Sequence, residues 1–193
     1  KAIKAFADME KAGCFAPDIN GLLYADSNAL FESGKALLNT TGTWRIGPIT
    51  KATEGKFDIQ IAPFPAMDKG RYLATGMGSA WYISADSKQK DAAAEFINFM
   101  YETASVKTWA EVASFVTPGP YDYSNMQLSP LLKFAISNLQ AKDAKFGYYV
   151  DLLATEELNT MMRPGFQAVV AGQKTPEAMA AEMQSVWEKS INK

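Results

Sequence analysis

The sequence contains no histidine. That absence removes Ser-His-Asp and Cys-His nucleophile systems, and with them the commonest zinc ligand. A single cysteine, Cys14, excludes an internal disulfide and any multi-cysteine metal site. Just past a helical stretch, it reads as a small buried residue near a helix end. Lys and Arg number 19 against 21 Asp and Glu, a net charge of −2. Charge therefore gives no case for a nucleic-acid or anionic-membrane partner. No apolar run approaches the roughly 20 residues needed to span a bilayer. Internal repeats, low-complexity tracts and long flexible linkers are absent too. Carboxylate-only catalysis stays open on these absences alone, but no catalytic residue, metal site or cofactor is expected. The chain opens at Lys1 inside helical pattern with neither initiator Met nor signal peptide, which reads as a fragment or a processed product.

What is present is globular. Hydrophobic residues make up 48% of 193 positions, enough for one compact domain or a domain plus part of another. Ile3, Phe6 and Met9 recur at helical spacing, with Gly13 as the stop. Asp26 and Ser27 are N-cap types before Leu30 and Phe31, and Gly34 ends that helix. Ala36 to Thr40, the alternating Phe57, Ile59 and Ile61, and Ala80 to Ala85 read as strands, the second ended by Pro63 and Pro65. Ser87 opens a helix through Phe96 and Met100, and Thr103 the next, through Val106 and Trp109. After a Pro-, Gly- and Asp-rich loop over 117–125, Ser129-Pro130 opens a third helix. Another starts near Thr155 and ends at Gly172, with Pro164 as a kink or as its true start. Thr175-Pro176-Glu177 opens the last, with Met179, Met183, Val186 and Trp187 inward. Short strands among many helices predict an α/β fold.

Several segments, in order, carry a family pattern. Phe31-Glu32-Ser33-Gly34-Lys35-Ala36-Leu37-Leu38, then Gly42-Thr43-Trp44, resembles the signature of extracellular solute-binding proteins of the maltose-binding (family 1, sugar-binding) type. Pro63-Phe64-Pro65, Gly78-Ser79-Ala80-Trp81-Tyr82-Ile83-Ser84, Ala93-Ala94-Glu95-Phe96, Arg163-Pro164 and the run Gly172 to Ala178 match later parts of it. Met77 departs from a usual glycine, and Leu38 from the commoner Met. The resemblance implies a periplasmic-binding-protein-like (type II) α/β fold, here incomplete. Residues 1–79 would form the first part of the C-terminal lobe, 80–145 a crossover packing on the N-terminal lobe, and 146–193 the closing helices. It implies a component that captures a mono- or oligosaccharide between two lobes and delivers it to the membrane permease of an ABC importer. The location would be periplasmic or extracellular, with a lipoprotein anchor in a Gram-positive source. The remaining N-terminal half of the protein would be a further partner.

Trp44 follows Gly42-Thr43 at the expected end of a strand, where open α/β folds place ligands. An indole covers the flat C–H face of a sugar and leaves its hydroxyls free. On the residues alone, core packing and stacking both stand; the resemblance, which puts a sugar-stacking Trp here, favours the ligand. Thr75-Gly76-Met77-Gly78-Ser79 lacks the strand-then-helix setting of a dinucleotide loop. Gly78, with its neighbours Met77 and Ser79, instead suits close backbone approach and a hydroxyl contact, or an ordinary turn. Arg163 precedes Pro164 at a break in helical pattern, and the resemblance places there an arginine able to grip neighbouring hydroxyls. Asn159 lies one turn earlier on the same face. Tyr148 and Tyr149, beside Gly147 in a loop, could line the cleft or the lobe junction but read first as core or surface filler, as does whichever of Trp81 and Tyr82 points inward. Trp109 and Trp187 read as core.

Two other functions fit the sequence less well. A glycoside hydrolase needs two carboxylates about 5 or about 6.5–9.5 Å apart. Asp26, Glu32, Glu95 and Glu102 fall in caps and solvated helix faces, none in a loop bracketed by aromatics. The other rival keeps a binding protein but changes its ligand to a polyamine, polyol, peptide or metal complex. Trp44, Gly78, Ser79 and Arg163 suit a neutral polyhydroxyl compound better.

Overall fold

A computed structural model describes residues 1–64, 70–76, 78, 80–149 and 154–191. The chain divides into two compact units. The first comprises Lys1–Phe31, Lys35–Leu37 and Tyr148–Lys193, and the second Glu32–Gly34 and Leu38–Gly147.

In the first unit, α1 (Ala2–Lys11), α7 (Glu156–Val170) and α8 (Pro176–Ile191) pack on one another. Their shared core is Ala7, Val169 and Met179, flanked by Ile3, Met161, Phe166 and Met183. Phe6 meets Phe166 edge-on at 5.6 Å. Thr155 caps α7 by accepting from the Leu158 N–H, and Thr175 caps α8 by accepting from Ala178. Both α1 and α7 end in the same way. Gly13 and Gly172 turn left-handed at φ +70, and the N–H of the next residue bonds back to the carbonyl five positions earlier, Cys14 to Met9 and Gln173 to Ala168. Cys14 is exposed rather than buried, because that turn carries it out past the end of α1. Pro164 neither breaks nor begins α7, which continues through it. Beyond it, buried Gly165 admits α8: a Cβ there would lie 2.5 Å from the Met179 sulfur.

α2 (Tyr24–Glu32) starts before its expected cap. Asp26 sits in the third helical position and accepts from the Leu23 N–H at 3.1 Å. The second unit is built on α3 (Ile46–Thr53), α5 (Thr103–Ala113) and α6 (Pro130–Leu139). Ile46, Val106, Ala110, Met126, Leu132 and Ile136 form its core. Ser129 caps α6 through the Leu132 N–H, as Ser-Pro predicts. The loop between α5 and α6 is stapled: the Tyr123 hydroxyl donates to the Thr117 carbonyl and accepts from its N–H, and Tyr121 donates to Tyr101. α4 (Lys90–Met100) lies beside α5 and begins three residues after Ser87, whose hydroxyl accepts from Gln89.

The strands fall elsewhere than expected. β1 (Arg71–Thr75) and β2 (Ala144–Tyr148) form a two-stranded sheet, so Tyr148 ends a strand rather than lying in a loop. The predicted strands over 36–40, 57–61 and 80–85 are not strands. Alternation alone does not form a strand; its backbone groups need a neighbouring strand to bond. Leu37 and Leu38, expected inside such a strand, are 90% and 84% exposed.

Candidate functional site

Trp44 sits in a one-turn 3₁₀ segment, Thr43–Arg45, that leads directly into α3. Gly42 precedes it in extended conformation, and its carbonyl accepts from the Arg45 N–H at 3.0 Å. Immediately downstream Ile46 is buried in the core, and Gly47 brings α3 against the Ala113 carbonyl at the end of α5. The backbone is therefore anchored downstream of Trp44, while the residue itself stays 50% exposed. The six-membered ring lies over Gly42: a Cβ there would fall well inside contact distance of its Cε3, Cζ3 and Cη2.

Arg45, the next residue, forms an ion pair with Glu32 at the end of α2. The two side chains are 21% and 23% exposed. The Arg45 Nε is buried with no hydrogen-bond partner among the described residues, so Glu32 is the counter-charge that makes this burial tolerable. Neither residue was singled out as functional from sequence, where Glu32 reads as a solvated helix-end acid. The pair spans 13 positions, beyond the helical neighbours that sequence spacing identifies.

Gly78 is exposed, with open space where a Cβ would stand. Met77 and Ser79 lie outside the described residues. β1 does precede this glycine pair, but among the described residues neither strand nor helix follows before α4 begins at Lys90. A dinucleotide loop still lacks its helix. Arg163 is exposed on α7 and Asn159 half-buried one turn before it. Trp44 and Gly78 belong to the second unit, Asn159 and Arg163 to the first. Trp81 and Tyr82 both face solvent, the first edge-on to Phe96 at 5.8 Å. Trp109 and Trp187 sit at the rims of their units rather than in the cores.

Among the described residues no group of three His, Cys, Asp or Glu could hold a metal ion. No described helix is long and apolar enough to cross a membrane. Glu111 is held below its ordinary value, chiefly by the Lys107 ammonium and then by the Gln127 N–H. Asp122 is lowered by the Ser124 N–H and hydroxyl, and burial raises the Tyr123 phenol.

Known proteins share this arrangement. A chitin oligosaccharide binding protein superposes on it with a TM-score of 0.79 at 22% identity, over 96% of this chain and 47% of that one. That likeness establishes the periplasmic-binding-protein-like α/β fold, in part. The multiple sugar-binding protein of Streptococcus mutans is 29% identical over 140 residues, which cover 68% of this chain and 33% of that protein. The chain thus spans between a third and a half of the length of these relatives. Residues 1–130, which include the α2 end, the Trp44 turn and α4, match the family model for bacterial extracellular solute-binding proteins. With ordered motifs, fold and family model in agreement over most of its length, the chain belongs to the bacterial extracellular solute-binding protein family.

Proposed function

We propose that this chain is part of the sugar-capturing component of an ABC importer, a protein that binds a mono- or oligosaccharide and hands it unchanged to a membrane permease. The observation that carries this reading is Trp44, a half-exposed indole on an anchored turn. The names of two relatives, one a multiple sugar-binding and one a chitin oligosaccharide binding protein, support a carbohydrate ligand. An indole suits that ligand because the axial C–H face of a pyranose is apolar while its rim is not. Gly78, Ser79, Met77, Arg163 and Asn159 are proposed as further ligand contacts, the glycine through its backbone and the arginine through its planar fork. In the whole protein, residues 1–79 and 146–193 would belong to the C-terminal lobe and 80–145 would pack on the N-terminal lobe. The exposed Phe96 and Phe99 of α4 support that covering, since large apolar side chains left in water are costly. Family membership supports a periplasmic or extracellular location, lipid-anchored if the source is Gram-positive.

Calorimetry of the full-length protein against maltose, cellobiose, sucrose and N,N′-diacetylchitobiose tests this. Saturable binding of one or more is expected. Trp44→Ala should weaken that binding by roughly 1–3 kcal/mol and leave the melting temperature without sugar nearly unchanged. Intact affinity together with a large loss of unliganded stability would assign the ring to the core. No heat with any of these sugars, beside tight binding of a polyamine or polyol, would replace the carbohydrate.

A further inference from the structure

The Trp44 turn is held from two directions by residues that need not meet a ligand. On one side the benzo edge of the indole occupies the space where any side chain at position 42 would start. On the other, Arg45 is tied to the last residue of α2 by its ion pair with Glu32. Nothing regular intervenes: from Ser33 to Gly42 the chain forms neither helix nor strand, so this pair bridges an irregular segment. Ile46 and Gly47 fix the downstream end in the core.

We propose that Gly42 and the Glu32–Arg45 ion pair are positioning residues that hold the Trp44 indole in one orientation before any sugar arrives. The proposal rests on Trp44 being the stacking ring. Its physical content is preorganisation: a ring already fixed loses no rotamer freedom when a pyranose lands on it, so stacking appears undiminished in the affinity. A Cβ at position 42 must displace something. The obstructing atoms belong to a half-exposed side chain with solvent beside it, so the indole turns away and the backbone stays. Neutralising Glu32 acts differently. It leaves the largely buried Arg45 guanidinium without its counter-charge, and the guanidinium swings toward water and loosens the turn next to Trp44.

The test uses the full-length protein labelled with 5-fluorotryptophan, the Trp44 fluorine signal being the one lost in Trp44→Phe. Without sugar, that signal should be a single narrow line. Gly42→Ala should shift or broaden it and weaken binding of the best disaccharide among maltose, cellobiose, sucrose and N,N′-diacetylchitobiose by about 5- to 20-fold. The unliganded melting temperature should stay within a few degrees. Glu32→Gln should change both readouts in the same direction, whereas Arg45→Lys, which keeps the charge, should retain most of the affinity. A Trp44 signal unchanged in both Gly42→Ala and Glu32→Gln overturns the positioning role, even if affinity or stability falls. If Trp44→Ala weakens binding while the positioning variants leave fluorine signal and affinity alone, stacking stands and this proposal fails. If the signal responds but the native protein binds none of the four sugars, the orienting role holds and the carbohydrate reading fails.

Discussion

At the scale of single residues, charge contributes mainly through hydrogen-bonded carboxylates. Glu111 presents one oxygen, Oε1, to both the Lys107 ammonium and the Gln127 N–H, joining α5 to the loop before α6. These contacts exist only in the folded chain, so its folded pKa lies below the unfolded one. A depressed carboxyl stabilises the fold fully above the unfolded value and loses that contribution as pH falls through the folded one. Glu111→Gln should therefore be less stable than the native protein at neutral pH. Urea titrations should show the difference narrowing once pH drops below the ordinary glutamate value of 4.5. A constant difference down to full acid unfolding would mean that Glu111 acts by packing and not by charge. Of the candidate site, Trp44 stood out at this scale because Gly-Thr-Trp is a local motif, with the family resemblance favouring a ligand over core packing. The Glu32–Arg45 pair was not, since two oppositely charged residues 13 positions apart carry no mark of being neighbours.

At the scale of elements, several helix ends were legible, though not the starts of α2 and α4, and strands were not. Ser129, Thr155 and Thr175 cap the helices their positions foretold, and Gly13, Gly34 and Gly172 turn left-handed where helices stop. Caps and stops are written within about four residues, the reach of a helical hydrogen bond. A strand is completed by a partner, and β1 finds its partner in β2, some 70 positions away. Helix packing is equally non-local. Gly47 lies where any Cβ would press on the Ala113 carbonyl, a backbone atom that cannot step aside unless α3 and α5 part. Gly47→Ala gains helix propensity of roughly 1 kcal/mol, yet the clash should dominate and cost about 1–3 kcal/mol net by urea unfolding. A rise in the urea midpoint would show that α3 does not touch α5 there.

At the scale of the whole molecule, these residues supply only part of a binding protein's length, 47% of one relative and 33% of another. A stacked ring with its second face in water gains about 1 kcal/mol, and solvent-competed hydrogen bonds add similar amounts. Rigid-body association costs at least several kcal/mol. The isolated 193-residue chain should then bind the four test sugars in the millimolar range or not at all. Its exposed Trp81, Tyr82, Phe96 and Phe99 should also bind anilinonaphthalene sulfonate. Titration of the isolated chain followed by tryptophan fluorescence checks the first outcome, and micromolar saturable binding would mean that the site is self-contained.

The sequence by itself determined the α/β class, the family, the caps at Ser129, Thr155 and Thr175 and the stops at Gly13, Gly34 and Gly172. It also excluded histidine-dependent catalysis and cysteine metal sites, because a residue that is missing is missing in every conformation. All of these depend on composition, on short-range spacing or on motif order, none of which needs two distant residues to meet in space. Only the tertiary structure decided which strands pair, that Cys14 and Leu38 face solvent, that Gly42 and Gly47 are places of contact, and that Glu32 meets Arg45. Burial, counter-charge and close approach are properties of pairs. A pair far apart in sequence becomes visible only when the folded chain has brought its two members together.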